Sequence, residues 1–305
     1  MTTTLQTILE QCSADASKGA LANYIPELAK ADPTKCGIYV VHPDGQRDFA
    51  GDHDHPFTMQ SVVKPLILLM ALIDSGMDKV RDLVGVEATG KPFDSFNYSD
   101  LALRREHINP MINTGAIALC TLIRGETYEE KFSRLLALCR FMAGNPAMEV
   151  DEAVYQSEKL TGNKNRALAY MLRAYGLIDD HVDDILDCYF RACSIKATCQ
   201  DLANIAFIFA NHGRDAATGM QLFDPSYATY VNAVLMICGM YDGSGEFALN
   251  VGFPAKSGVG GGIMGVVPGK MGIGVYSPCL DSKGNSVVGV RMLEELSREQ
   301  GLSIF

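Results

Sequence analysis

The chain has no Cys-x-x-Cys pair, no internal repeat and no excess of basic charge. Its longest apolar run, PLILLMALI from Pro65 to Ile73, falls far short of the ~20 residues that cross a bilayer. With 26 Lys+Arg against 36 Asp+Glu the formal net charge is −10. Phosphate backbones and anionic lipid surfaces select basic faces, so this balance argues against a nucleic-acid or polybasic membrane-surface protein. The first thirty residues lack a basic stretch leading into an apolar one, so no secretory leader and a cytoplasmic location are expected. Nine cysteines, an odd number, are scattered through apolar contexts such as AIALCTLI around Cys120. They are expected to be free, buried thiols of a reducing compartment, not a zinc site or a disulfide frame.

What is present suits an ordinary globular protein. The apolar share is 48% and the charged share 20% over 305 residues, enough for a core in one large domain or two ordinary ones. Residues 1–33 show helical spacing, with Leu5, Ile8 and Leu9 and later Leu21, Tyr24, Ile25 and Leu28. CGIYVVHPDGQRDFAG (36–51) predicts two short strands joined by the Pro43-Asp44-Gly45 turn. From Ser61 to about Asn211 the pattern is mainly helical, as in FSRLLALCRFMAG. After Phe247, glycine and β-branched residues alternate with turn signals, which predicts consecutive antiparallel strands, with SVVGVRML as a last one and EELSREQGL as a terminal helix. An isolated hairpin is only marginally stable, so the strands at the two ends are expected to share one sheet. The expected architecture is α/β of the α+β kind: an antiparallel sheet flanked by helices, with a mainly helical insert. The division is a discontinuous sheet domain, 1–60 with 240–305, and a helical domain, 61–239.

One short motif carries chemistry. In FTMQSVVKPLILLM, Ser61 and Lys64 are three apart at a helix start and so lie on one face. A serine hydroxyl is a poor nucleophile until a base takes its proton, and a desolvated lysine can be that base. The apolar run after Lys64 supplies the desolvation. Alone, the motif is weak and reads more often as a helix cap beside a solvated lysine. A second motif, Lys256-Ser257-Gly258, opens the glycine-rich strands. Ser-x-x-Lys enzymes of the β-lactamase and penicillin-binding class carry Lys-Thr/Ser-Gly on a strand beside the serine. There it brings a positive charge, a hydroxyl and backbone N–H groups for an oxyanion, and Gly258, Gly260, Gly261 and Gly262 allow close approach.

Longer strings sharpen this. FTMQSVVK (57–64), INPMINTGAIA (108–118), VYQSEKLTGNKNRALAYML (154–172), CSIKATCQDLANIAFIFANHG (193–213) and GMYDGSGEFALNVGFPAKSGVGGGIMGVVPGKMGIGVYSPCLDSKGNS (239–286) resemble the bacterial-type serine-dependent glutaminases, over about residues 20–305. The resemblance implies a β-lactamase/transpeptidase-like fold and hydrolysis of L-glutamine to L-glutamate and ammonia. It implies no cofactor, no metal and a homodimer or homotetramer. It marks Ser61 as nucleophile, Lys64 as proton acceptor and Tyr189 as a partner in proton transfer. Asn113 is marked as a substrate-binding residue, Glu158 and Asn165 as the pair holding the α-amino and α-carboxylate groups, and Tyr241 as a second pocket tyrosine. The backbone N–H of Val259 is expected to complete the oxyanion hole with that of Ser61, and Gln60, Lys256, Ser257 and Gly258 to support the site.

Local readings stand beside these roles. Glu158 could be a solvated helix-face residue, Asn165 a helix cap, Asn113 a turn residue, Tyr189 and Tyr241 core aromatics, and Lys256 a surface lysine. Departures from the family pattern occur at Val63, where a hydroxyl is lost, and at Ala88 and Asp94. The run Asp52-His53-Asp54-His55 looks like a metal cluster, but four adjacent residues on a short loop rarely face one ion. A penicillin-recognising hydrolase would require export, and a non-catalytic interaction protein would not require Ser61, Lys64, Tyr189 and Lys256 together.

Overall fold

The computed structural model describes residues 4–89, 108–178, 181–215 and 218–305. Asp94 lies outside them. The chain enters through helix α1 (Leu5–Ser13), capped by Thr4, whose side chain accepts from the Thr7 N–H. Short 3-10 turns at Ala14–Lys18 and Pro26–Lys30 follow. The helical spacing read over residues 1–33 is thus helical only at its start, and Tyr24 sits on the irregular stretch between the two turns.

Strands β1 (Gly37–Val41) and β2 (Arg47–Gly51) form the expected hairpin. Gly45 takes a φ of 86°, which the turn needs and glycine adopts without strain. β5 (Ala255–Ser257), β6 (Gly262–Val267) and β7 (Met271–Tyr276) join it in one antiparallel sheet of order β2-β1-β7-β6-β5. Strands from the two ends of the chain therefore share a sheet, with β1 paired to β7 from Gly37 opposite Tyr276 to Val41 opposite Gly272. The inner strands β1, β6 and β7 are covered on both faces and so read as near-continuous apolar runs. Ile38, Val40, Ile263, Ile273 and Val275 face a core shared with α1 and α11 (Val287–Gln300). Tyr39, Val41, Met264 and Val266 face the larger core of the helical layer.

Helix α8 (Cys199–Ala210) covers that second face. It can do so at backbone distance only because β7 has glycine where it passes. A Cβ on Gly272 would stand 2.2 Å from the Ala203 carbonyl oxygen, and one on Gly274 2.0 Å from that of Cys199. The helical layer also contains α2 (Lys64–Leu83), α3 (Asn113–Cys120), α4 (Tyr128–Ala143), α5 (Glu152–Thr161), α6 (Asn163–Ala174), α7 (Val182–Cys193) and α9 (Pro225–Cys238). Gln60–Leu83 is long and apolar enough to cross a membrane by length and composition, yet most of it is buried. It packs against α3, α4 and α9 as the central core helix.

Two stretches expected as strands are helices. FALN belongs to α10 (Ser244–Asn250), and SVVGVRML starts α11. Ser286 caps α11 by accepting from the Gly289 N–H at 3.1 Å. Val288, Met292, Leu293 and Leu296 then fall on one buried face. The helical period from 288 to 296 outweighs the β-branched composition of its first turn.

Candidate active site

A two-residue strand β3 (Phe57–Thr58) pairs with β4 (Lys196–Ala197), and Met59 donates to the Ile195 carbonyl at 2.9 Å. The chain then turns at once into the 3-10 turn Gln60–Val63 and α2. The turn is sharp enough to hold Gln60 at φ 48°, in the left-handed region that non-glycine residues seldom occupy. Ser61 follows, and Lys64 stands one turn further at the start of α2. No side chain of a first-turn residue caps this helix.

Lys64 is completely buried. Its ammonium donates to the Met111 carbonyl at 3.2 Å and to Asn113 Oδ1 at 2.7 Å. Tyr189, from α7, donates to the same oxygen at 3.2 Å. Asn113 Nδ2 in turn donates to Asn165 Oδ1 at 2.8 Å. One amide therefore holds the lysine, the tyrosine and the second asparagine in fixed relation. Asn165 sits in the first turn of α6, but its side chain does not cap that helix, and the N-cap is Gly162. Burial pulls Lys64 down to about 8, against Cys193 and Glu158, which favour its charged form. Burial also pushes Tyr189 well above the ordinary tyrosine range, so its hydroxyl keeps its proton at neutral pH.

Glu158 is 5% exposed, on the inner face of α5. Burial pushes its carboxyl up to about 8, opposed by Lys64 and by Gln60, whose amide is within hydrogen-bonding reach. Its second oxygen, Oε2, is buried with no hydrogen-bond partner among the described residues. An unpaired buried carboxylate oxygen is costly unless a ligand completes it. Asp187 accepts from Lys159 at 2.6 Å and from the Tyr155 hydroxyl, which fastens α5 to α7 beside Glu158.

The β5–β6 turn closes the other side. A Cβ on Gly258 would stand 2.5 Å from the Met59 carbonyl oxygen, and one on Gly260 2.4 Å from that of Thr58. The turn thus lies directly on the backbone that leads into Ser61. Its internal hydrogen bonds run from the Gly258 N–H to Gly262 and from the Gly261 N–H to Gly258. Val259, between them, packs with Tyr241 and Leu280. Tyr241 is in hydrogen-bonding reach of Ser61, and burial holds its hydroxyl far above the usual range. Lys256 and Ser257 are also fully buried. Two cavities flank this arrangement. One, of about 220 Å³, is lined by Met111, Ile112 and Tyr241. The other, of about 490 Å³, is lined by Tyr24, Asp242 and Val259.

Ser61, Lys64, Asn113, Glu158, Asn165, Tyr189, Tyr241 and Val259 thus arrive from seven separate segments at one buried polar cluster. Two residues beside it were not anticipated. Tyr24 acts electrostatically on Tyr189, and its loop borders the second cavity. Cys193, one helical turn after Tyr189, is within hydrogen-bonding reach of its hydroxyl. Neither carried a local signal, because each owes its place to contacts remote in sequence or to the side of a helix that faces Lys64. The Asp52–His55 residues diverge: Asp52 pairs with Lys35 at 2.6 Å, His53 packs its ring at a tilt against Phe49, and His55 stacks on Tyr276.

The family model for glutaminase matches residues 19–305. The chain belongs to the glutaminase family. It is 48% identical to a glutaminase of Clostridium tetani over all of both chains. Among solved structures, a covalent complex of a Bacillus subtilis glutaminase with 5-oxo-L-norleucine, formed from 6-diazo-5-oxo-L-norleucine, superposes with a TM-score of 0.90. Sequence identity is 36% over 99% of this chain and 98% of that one. The protein Mglu in its tris and glutamate form gives a TM-score of 0.93 at 37% identity, over 99% of this chain and 66% of that one. The fold is accordingly the β-lactamase-like one, and the chain is an enzyme that hydrolyses glutamine.

Proposed function

We propose that the hydrolysis proceeds through an acyl-enzyme on Ser61, with Lys64 as its general base. The observation that carries this reading is the environment of Lys64. It is fully buried, one helical turn from Ser61, and lowered to about 8 by burial. About a tenth of it is then the free amine at pH 7, whereas an ordinary lysine has almost none. Asn113 and Met111 accept two of its hydrogens and fix the position of its nitrogen.

Glutamine binds with its ammonium on the unpaired Glu158 oxygen and its α-carboxylate toward the Asn165 amide nitrogen. Ser61 Oγ attacks the side-chain amide carbon while Lys64 takes the hydroxyl proton. The N–H groups of Ser61 and Val259 receive the developing oxyanion. Collapse breaks the C–N bond, and the proton returns through Lys64 and Tyr189 to the leaving nitrogen, which departs as ammonia. Tyr189 remains a neutral relay, since its pKa is far too high for it to start as a base. A water molecule attacks the γ-glutamyl ester with Lys64 again as base. Glutamate leaves and the Ser61 hydroxyl is restored. The covalent adduct formed by the Bacillus subtilis relative supports a nucleophile within this fold.

The test compares ammonia release by the wild type and Ser61→Ala and locates the 6-diazo-5-oxo-L-norleucine adduct by peptide mass spectrometry. Loss of activity with the adduct on Ser61 is expected. An active Ser61→Ala protein, or an adduct on another residue, would overturn the assignment.

A further inference from the structure

Lys256 is the buried lysine that the reaction above leaves without a task. It is completely enclosed, and burial and the nearby charge of Lys64 hold its pKa well below the usual lysine range. Its ammonium donates to the Gly239 carbonyl at 2.9 Å and to the Ser257 carbonyl at 2.7 Å, and it lies 4.3 Å from the centroid of the Tyr241 ring. Two carbonyl oxygens and an aromatic face thus surround its nitrogen. Both outer partners belong to one short segment. Gly239 ends α9, and its carbonyl also accepts from the Ser257 N–H at 3.1 Å. Its nitrogen therefore sits at the C-terminal, carbonyl end of that helix. Tyr241 follows two residues later with φ 53°, a left-handed conformation that surrounding contacts must impose. Gly239 has no room to move, since a Cβ on it would stand 1.8 Å from the Ala255 carbonyl oxygen. The segment 239–241 is thus pinned to β5 at its start by backbone and at its end by the ring.

We propose that Lys256 is a positioning residue, which clamps the Tyr241 ring from below so that the tyrosine hydroxyl is presented to Ser61. The proposal rests on Ser61 being the reacting group. It assigns the lysine of the Lys-Ser-Gly strand a role beneath the site and not toward the ligand. Without the clamp the ring is free to tilt within its strained segment, and the hydroxyl moves relative to Ser61. Because that hydroxyl is within hydrogen-bonding reach of Ser61, a displacement of about 1 Å shifts the nucleophile itself, which costs on the order of 10²-fold in rate. Substrate recognition by Glu158 and Asn165, on α5 and α6, is untouched.

The experiment is a double-mutant cycle on the full chain with Lys256→Met and Tyr241→Phe, reading kcat and KM for glutamine and the second-order rate of labelling by 6-diazo-5-oxo-L-norleucine. Lys256→Met is expected to lower kcat and the labelling rate by about 10²-fold, with KM within about threefold of the wild type. In the Tyr241→Phe background the same change is expected to add less than threefold, because the hydroxyl it acts through is gone. Losses that multiply, a Lys256→Met protein of wild-type kcat, or a loss confined to KM would each overturn the proposal. If Lys256→Met gives no cooperative melt, the cycle is run with Lys256→Arg, and the same non-additivity decides. Ser61→Ala in the same series separates the two readings. An active Ser61→Ala protein overturns the nucleophile and the clamp together. An inactive one with multiplying losses overturns the clamp alone.

Discussion

Replacing Glu158 by glutamine removes a negative charge at constant shape from a position that is 5% exposed. In the proposed complex that charge compensates the α-ammonium of the substrate. Truncating one partner of a desolvated charge pair costs roughly 2–5 kcal/mol, much of it from leaving the other charge unpaired. A central value of about 3 kcal/mol corresponds to on the order of 10²-fold in affinity. The rate once bound has reason to hold up. The Glu158 charge is one of the groups that raise Lys64, so removing it leaves more of the lysine as free base at neutral pH. Glu158→Gln is therefore expected to raise KM by about 10²-fold with kcat within about tenfold. The sharper assay compares glutamine with 5-amino-5-oxopentanoate, which has the amide and the carboxylate but no amino group. The wild type should favour glutamine by the same ~10²-fold in kcat/KM, and the variant should lose that preference. A variant that still discriminates between them, or whose KM is unchanged, would show that the ammonium binds elsewhere. A second readout needs no substrate. Burial raises the Glu158 pKa from its ordinary value to about 8, so the ligand-free fold loses stability as pH rises from about 4.5 through 8. Glu158→Gln should raise Tm above pH 8, and the gain should vanish toward pH 5.

Two further outcomes follow from the same geometry. Both Lys64 and Glu158 titrate near 8 in the free protein, and both act in their deprotonated forms. The kcat/KM for glutamine should therefore rise with pH through about 8, with apparent midpoints that belong to the pair, and should level off above it. A profile that is flat from pH 6 to 9 would contradict a lysine base, and in Glu158→Gln the remaining limb should move to lower pH. Gly260→Ala places a Cβ 2.4 Å from the Thr58 carbonyl oxygen, a backbone atom that cannot give way. It is expected to push the Val259 turn off the oxyanion position, lowering kcat by about 10²-fold or more, and to lower Tm. Full activity in Gly260→Ala would mean that this turn does not carry an oxyanion donor.

Much of the site could be read as residue types and little of it as roles. Ser61 and Lys64 are visible because a helix start puts residues three apart on one face, which is a local rule. The hairpin at 36–51 is visible for the same reason, through Pro43-Asp44-Gly45. The misread SVVGVRML shows the limit of such rules, because composition there pointed to a strand while the spacing of Val288, Met292 and Leu296 built a helix. Glu158 could not be told from a solvated glutamate by its neighbours on α5. Its helix packs against α7, and Gln60 reaches it from the Ser61 turn, both distant in the chain. Asn165 was equally a cap or a ligand residue until Asn113, from α3, claimed its oxygen. Tyr24 had no signal at all, since it sits in a loop that only the closed fold carries to Tyr189.

By itself the sequence determined the parts that depend on neighbours a few residues apart. These are the Ser-x-x-Lys spacing, the apolar helix behind it, the glycines that allow backbones to touch, and through the long matching strings the glutaminase family. Only the tertiary structure decided which groups share a low-dielectric pocket. Burial lowers Lys64 to about 8 and raises Glu158 to about 8, and packing sets the Lys256 nitrogen 4.3 Å from the Tyr241 ring centroid. The physical reason is desolvation. Whether a side chain is charged, and what it must pair with, is set by atoms that surround it from every segment, and no local stretch of chain contains them.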